Sequence, residues 1–211
     1  MSALSRWDSV FVRLISQEKP METTIKQDRI ALKNLKAADF TSEGTLCFTA
    51  TVIFDGIAIA EARNDGHSDG GMTIIHAHEG KTAQLAEAEQ FAKSLPPDTL
   101  KGGVSGEGDE PVTIIINITL DYLVDQLAEA MQADRKLRTA YTREIHNKVL
   151  LIQNGKLLFL KGIKLKAIAD RPAYFAALRA RQKDPIVILA ELPPDEAFAL
   201  WKQHVLGGET S

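Results

Sequence analysis

The chain has 211 residues, of which 45% are hydrophobic and 25% charged, and its formal net charge is −3. This composition is typical of a soluble globular protein and excludes a collagen-like repeat or a wholly disordered chain. The one cysteine, Cys47, excludes a disulfide framework, and its apolar neighbours favour a half-buried thiol over a nucleophile. Taken alone, the net charge also argues against a basic nucleic-acid-binding protein.

The sequence shows neither a secretory signal nor a membrane-spanning segment. No charged start is followed by an apolar stretch of signal-peptide length. No apolar run approaches the roughly 20 residues that cross a bilayer. We therefore expect a cytoplasmic protein with no membrane partner.

The N-terminal half predicts a β-meander. A first strand is predicted at 30–35, although its alternation of apolar and polar residues is imperfect. Residues 46–54 alternate regularly, and Asp55-Gly56, a type I′ turn signal, leads into a strand at 57–63. A further strand is predicted at 72–79. The apolar face of the 46–54 strand is predicted to consist of Phe48, Ala50, Val52 and Phe54.

A helix and a connection follow the meander. Apolar residues from Leu85 to Leu95 have helical spacing, and Pro96-Pro97 ends the run. Residues 96–111 are rich in glycine, proline and carboxylates, which predicts a mobile acidic connection between lobes. We therefore expect domains at 1–95 and 112–211.

The C-terminal half predicts a mixed lobe. A strand at 112–118 precedes a helix that begins after Thr119, a good N-cap, and runs to about Tyr141. Residues 148–161 predict a basic hairpin around Asn154-Gly155. A helix at 173–182, a strand at 186–189 and a closing helix from Pro194 complete the lobe. Strands and helices occur in blocks, so the predicted fold class is α+β.

A cluster of histidines and aspartates is a candidate metal site. His76 and His78 are two residues apart in a predicted strand, so their side chains are expected on one face. Nitrogen and oxygen ligands in this mixture suit zinc or another divalent metal, which could activate water in a hydrolase. The candidate ligands are Asp65, His67, Asp69, His76 and His78.

Two other interpretations of the same region stay open. Asn64-Asp65-Gly66 is ordinary turn chemistry, because Asn and Asp hydrogen-bond their own backbone. Alternatively, the glycine-rich loop could bind a ligand at Asn64, Asp65 and Gly66, where small residues let it approach backbone N–H groups. No P-loop, dinucleotide-binding, nucleophile-elbow or zinc-protease motif accompanies the loop, so the sequence gives little support for an enzyme.

The net charge conceals a strongly basic segment. Between Arg135 and Lys183, thirteen Lys and Arg residues face only Glu144 and Asp170, a local charge of +11 that leaves −14 for the rest. A local positive field attracts anions whatever the total charge. The candidate ligand-binding residues in this segment are Arg143, Lys148, Lys156, Lys161, Lys164, Lys166 and Arg171.

Several partners are compatible with this charge. Nucleic acid or a nucleotide could bind through its phosphates, with Tyr141, Phe159, Tyr174 and Phe175 available to stack bases unless they belong to the core. An acidic protein partner is also possible on charge alone, and so is pairing of the basic residues within the chain, for example with the acidic connection. Oligomeric state is not predictable from these residues.

Parts of the chain resemble a group of uncharacterised bacterial and phage proteins. That group is characterised by a strand, an Asp-Gly hairpin, a loop close to Asn-Asp-Gly-His-Gly-Gly, a leucine-rich helix, a basic hairpin and a final Leu-Pro element. The resemblance covers most of 30–201 and departs at Ser68-Asp69, which enlarge the loop. It implies one shared architecture and no activity. The matching segments are 30–36, Phe40, 42–43, 46–48, 55–56, 64–67, 120–131, 148–161 and 192–197.

From the residues we expect a non-enzymatic cytoplasmic accessory protein of phage or mobile-element type. Its basic segment, 135–183, would bind an anionic ligand, either nucleic acid or a nucleotide. The first alternative is a metal-dependent hydrolase built on the histidine cluster. The second is a subunit of a larger protein assembly.

Overall fold

A computed structural model describes residues 25–38, 45–66, 72–101 and 113–207. These residues fall into two compact units, 25–133 (the N-terminal unit) and 134–207 (the C-terminal unit). The fold class is α+β, as the sequence predicts. The boundary between the two units lies between Ala133 and Asp134, inside the helix Leu120–Asn147. The sequence analysis instead places the boundary at 96–111, between lobes 1–95 and 112–211.

The N-terminal unit contains a four-stranded antiparallel sheet in the order β1-β2-β3-β4. The predicted three-stranded meander is confirmed, and the strand predicted at 30–35 joins it as a fourth. The strands are β1 (Ile30–Ala38), β2 (Cys47–Phe54), β3 (Ile57–Asn64) and β4 (Ile74–Ala77).

A bulge explains the imperfect alternation of β1. The register with β2 shifts between Lys33 and Lys36, and Asn34 has a φ of 53°. Asn tolerates this left-handed conformation better than most residues do. The buried residues therefore follow the spacing Ile30, Leu32, Leu35 instead of a strict period of two.

The two predicted type I′ turns are both present. Positive φ values occur at Asp55 (49°) and Gly56 (80°), and again at Asn154 (50°) and Gly155 (72°). Left-handed φ at both central residues defines this turn, which matches the twist of the flanking strands.

Helix α1 (Thr82–Ser94) follows the meander, and then a small hairpin forms where the sequence predicts a connection. Strand β5 (Asp98–Lys101) pairs antiparallel with β6 (Thr113–Ile116). The prediction of a connection without regular structure is therefore wrong for 98–101, since the β-branched residues of β6 provide a partner. Residues 102–112 lie outside the described residues.

The core of the N-terminal unit lies between the meander and its helices. All four residues predicted for the inward face of β2 are buried, and they join Ala88 and Ala92 of α1. Helix α2 (Leu120–Asn147) adds Leu123, Val124 and Ala128. This helix ends six residues beyond the predicted end at Tyr141.

The C-terminal unit has a three-stranded antiparallel sheet in the order β8-β7-β9. The predicted basic hairpin is its β7 (Leu150–Gln153) and β8 (Lys156–Phe159), and β9 is Ile186–Ile188. Helices α3 (Arg171–Ala180) and α4 (Pro194–Leu206) belong to the same unit, as do 3₁₀ turns at Leu165–Ala167 and Leu189–Glu191. The rings of Tyr141, Phe198 and Trp201 pack together in its core.

Arg29 links the first hairpin turn to helix α1. Its Nε and Nη2 donate to the two carboxylate oxygens of Asp55 at 2.9 and 2.6 Å. Its guanidinium carbon lies 4.5 Å from the ring centroid of Phe54 and 4.8 Å from that of Phe91. The planar guanidinium therefore forms a forked ion pair and lies within cation–π distance of two rings.

We expect Arg29→Lys to lower the free energy of unfolding, because an ammonium retains the charge but loses the forked ion pair with Asp55 and the contact of a planar cation with the two rings. Urea unfolding measures this. Arg181→Lys, at an exposed residue with no side-chain partner among the described residues, is the control and should change stability by less than about 0.5 kcal/mol. Equal effects of the two substitutions would contradict this role of Arg29.

Candidate functional site

Two histidines of the predicted metal cluster, His76 and His78, lie along one edge of the meander. His76 is exposed on β4, opposite Glu61 in the register, and the His78 Nε2 lies 3.3 Å from Glu61 Oε1. Asp65 instead accepts from Arg63 Nε at 2.6 Å. His67 and Asp69 are outside the described residues. Within the described ranges no three His, Cys, Asp or Glu side chains form a potential metal site, so zinc binding stays a prediction.

The Asn64-Asp65-Gly66 turn is held by a buried chain of hydrogen bonds. The Gly66 N–H donates to Asn64 Oδ1 at 2.8 Å, and Asn64 Nδ2 donates to Thr73 Oγ1 at 3.0 Å. The Thr73 hydroxyl donates in turn to Asp125 of α2. We call these contacts the Asn64–Thr73–Asp125 network. It links Asn64, at the end of β3, and Thr73, directly before β4, to helix α2.

The network places carboxyl groups in a partly desolvated position. Burial raises the pKa of Asp125, against the opposing effect of the hydrogen bonds from Thr73 and Asn64. Burial, together with the nearby Asp125, also raises the pKa of Glu129. On the same helix the Tyr122 hydroxyl donates to Asp98 Oδ2 at 2.8 Å. Burial, and that carboxylate, raise the pKa of Tyr122 to about 12.

All three predicted loop ligands have partners inside the protein, because Asp65 accepts from Arg63 and the network holds Asn64 and Gly66. Asn64 is 2% exposed, and both the oxygen and the nitrogen of its side-chain amide make hydrogen bonds inside the protein. The oxygen accepts from the Gly66 N–H. Gly66 has a φ of 73°, and a Cβ on it would lie 2.8 Å from the Cβ of Cys47. The turn-chemistry interpretation thus accounts for Asn64 and Gly66, while ligand binding by the loop stays a prediction.

We expect Gly66→Ala to destabilise the protein more than Gly80→Ala does. Both glycines have positive φ, 73° and 70°, so both substitutions incur the left-handed strain of about 1–2 kcal/mol. Only at Gly66 does the added methyl group meet a neighbour, and such overpacking costs about 1–3 kcal/mol more. Chemical unfolding of both variants tests this, and equal losses would rule out the close packing against Cys47.

We expect the stability of Asp125→Asn to improve relative to the native protein as pH rises from about 4. The pKa of Asp125 is higher in the folded than in the unfolded chain, so the native protein loses stability as pH rises through that interval. Asn cannot ionise and lacks this loss. Unfolding free energies across the pH range measure the difference, with Glu89→Gln on the exposed side of α1 as control. A trend of opposite sign would contradict the burial of the Asp125 charge.

Some cations of the basic segment are paired within the C-terminal unit. Lys148 donates to Glu144 at 2.8 Å and lies 4.7 Å from the ring centroid of Phe159. Arg138 donates to Asp134 at 2.8 Å, and Arg179 forms an ion pair with Glu191. The interpretation that basic residues pair within the chain is therefore correct for these three. Lys148, a predicted ligand-binding residue, has a structural partner.

Eight further cations are exposed, and no carboxylate of the described residues pairs with their side chains. Six of the seven predicted ligand-binding residues are among them. Residues 134–207 contain fourteen Lys and Arg and seven Asp and Glu, a net charge of +7. The eight exposed cations are Arg143, Lys156, Lys161, Lys164, Lys166, Arg171, Arg181 and Lys183.

The aromatic residues of the basic segment are mostly structural. Phe175 is 2% exposed and Tyr141 8%, so both belong to the core and cannot stack bases at the surface. Phe159 is half-buried beneath Lys148. Tyr174 is half-buried at an open cavity of about 460 Å³ that Lys164 and Asp170 also line. The Asp170 carboxylate accepts from the Ala173 N–H at 3.0 Å and so caps α3.

A smaller cavity of about 370 Å³ brings two predicted ligand-binding residues together. Lys166 and Arg171 line it, and so does His146 of α2, which the sequence interpretation missed. The predicted helix ends at Tyr141, so the sequence analysis does not place Ile145 and His146 in α2. Extending the apolar spacing from Tyr141 to Ile145 would have shown that the helix continues.

No protein-family model, curated protein or solved structure matches this chain. The resemblance to bacterial and phage proteins therefore stays a prediction. Among the residues that the structure describes, no helix has the length and apolar character needed to span a bilayer.

Proposed function

We propose that this protein is a cytoplasmic, non-enzymatic accessory protein that binds nucleic acid through the phosphate groups. The observation that carries the proposal is the set of eight exposed cations in the C-terminal unit that lack a carboxylate partner within the described chain. Cations that face only solvent are available to displace the counterions of a polyanion, which is the main source of non-specific affinity for nucleic acid.

The basic hairpin is the centre of the proposed interface. Lys156 follows the Asn154-Gly155 turn, and Lys161 and Lys164 follow within eight residues, so a short stretch of chain presents three exposed ammonium groups. Lys156 lies in β8, Lys161 in the turn that follows it and Lys164 directly before the 3₁₀ turn at Leu165–Ala167. Residues 20–133 carry eight Lys and Arg against eighteen Asp and Glu, a charge of −10, and would repel the same ligand.

The proposed contact has little sequence specificity. Base recognition needs side chains that reach base edges or aromatic faces that stack on them. Of the aromatic candidates, Tyr141 and Phe175 are buried in the core, and Phe159 is half-buried beneath Lys148. Lysine contacts phosphates as a point charge without geometric selection. We therefore infer a backbone-directed interaction.

We expect fluorescence anisotropy with labelled oligonucleotides to show binding whose logarithmic affinity falls linearly with the logarithm of salt concentration. The triple variant Lys156→Ala, Lys161→Ala, Lys164→Ala should weaken binding at low salt. For this variant the slope of logarithmic affinity against logarithmic salt concentration should be shallower by about two to three, since each phosphate contact contributes about 0.7–0.9 to that slope.

The control is Lys33→Ala, Lys36→Ala, Lys93→Ala, which removes three exposed lysines from the N-terminal unit. It changes the net charge equally and should leave the slope within experimental error. If both triple variants weaken binding equally, the interaction depends on total charge and the interface proposal fails. Unchanged anisotropy of single-stranded and double-stranded oligonucleotides at low salt would also overturn it.

A further inference from the structure

We propose that the 370 Å³ cavity of the C-terminal unit is a second binding site, for a small amphiphile with an aliphatic chain and an anionic head. This ligand class differs from nucleic acid, and the site is separate from the three hairpin lysines. The volume lies within the range of about 300–1,000 Å³ that is usual for small-molecule sites.

The floor of this cavity is aliphatic and already formed. Ile145 of α2, Leu165 of one 3₁₀ turn and Leu189 of the other line it. Leu189 is fully buried, and the Tyr141 ring beside it packs against Phe198 and Trp201 at centroid distances of 5.5 and 5.4 Å. Because the core holds these side chains, a chain entering the cavity would meet a rigid apolar surface without ordering it first.

Three cationic or protonatable groups lie at the same cavity, each from a different element. Arg171 begins α3, Lys166 belongs to a 3₁₀ turn and His146 lies in the last part of α2. No carboxylate is among the residues that line the cavity. The His146 Nδ1 lies 2.6 Å from the Thr142 carbonyl oxygen, so this nitrogen donates a proton and the ring orientation is set. An anionic head would therefore find up to three donors and no competing negative charge.

The lining favours an aliphatic body over a nucleobase. Apart from the His146 imidazole, the uncharged side-chain polar groups that line the cavity are two hydroxyls, those of Tyr141 and Thr142. A base buried here would leave several donors and acceptors unsatisfied, at about 1–3 kcal/mol each. A methylene chain has no such groups, and its transfer from water is favourable along its whole length. A carboxylate and a phosphate could each pair with Lys166 and Arg171, so we specify the head group of the ligand only by its negative charge.

The test is titration of the full chain with decanoate, octyl phosphate, decanol, inorganic phosphate and AMP, each below any micellar concentration. Isothermal calorimetry measures binding, and Trp201 fluorescence provides an optical signal because its ring packs on Tyr141. We expect decanoate, octyl phosphate or both to bind at least tenfold more tightly than decanol, inorganic phosphate and AMP. Comparison of the first two identifies the preferred head. Decanol binding as tightly, or AMP binding more tightly than octyl phosphate, would overturn the proposal.

Two variants separate the contributions of head and chain. Lys166→Ala combined with Arg171→Ala should weaken binding of the anionic amphiphile at least tenfold. Ala190→Phe, which adds bulk at a half-buried lining residue, should abolish it while far-ultraviolet circular dichroism confirms folding. Unchanged affinity in both folded variants would show that the cavity is not the site.

The hairpin variant Lys156→Ala, Lys161→Ala, Lys164→Ala is the matched control, and it should bind the amphiphile as the native protein does. Because these lysines carry the proposed nucleic-acid contact and do not line the cavity, the oligonucleotide titration tests the nucleic-acid proposal and the amphiphile titration tests the cavity proposal, each independently of the other. Absence of any amphiphile signal at millimolar concentration, with the protein folded, would overturn the cavity proposal and leave the nucleic-acid proposal unaffected.

Discussion

The organisation of the N-terminal unit depends on how one buried amide is satisfied. Asn64 is almost completely buried at the end of β3, so both its donor and its acceptor need partners inside the protein. The Gly66 N–H and the Thr73 hydroxyl supply them, and Thr73 passes the connection on to Asp125 of α2. Few arrangements of strand, turn and helix satisfy all these groups at once, because an unpaired buried group costs about 1–3 kcal/mol. The network therefore favours one register of α2 against the meander, the one that places Asp125 at the Thr73 hydroxyl.

Charge is distributed in the opposite way in the two units. Carboxylates of the N-terminal unit include Asp125 and Glu129, whose pKa values burial raises, so part of its acidity is used within the fold. In the C-terminal unit the nearby carboxylates, such as Glu144 and Glu191, pair with only a few of the cations. Even a paired surface cation contributes at most about 1 kcal/mol to stability, and an unpaired one contributes less. Folding stability therefore gives little reason for so many unpaired Lys and Arg residues. The anionic partner proposed above would account for this excess.

The sequence predicts features that depend on neighbouring residues and misses those that depend on distant ones. Asp55-Gly56 and Asn154-Gly155 adopt the expected turns because their own φ preferences decide the geometry. The bulge at Asn34 is visible only as irregular alternation, since its cause is the pairing with β2. The sequence analysis does not predict strand β5, because the stability of this strand comes from its pairing with β6. The acidic and glycine-rich residues beside it also make its local composition resemble that of a loop. At the site, composition identified Lys166 and Arg171, but only the fold places His146 beside them at an apolar cavity.

Exposed cations and cations at an apolar cavity differ physically, although both attract anions. At the hairpin, water and salt screen each lysine over about 10 Å, so affinity depends on the number of phosphates contacted. At the cavity, Arg171 and Lys166 lie beside low-dielectric surface, where one charge contact is stronger and less sensitive to salt. A bound anionic amphiphile would pair with Lys166 and Arg171, two of the eight exposed cations of this unit. The hairpin lysines Lys156, Lys161 and Lys164 do not line this cavity, so the two proposed sites use different cations.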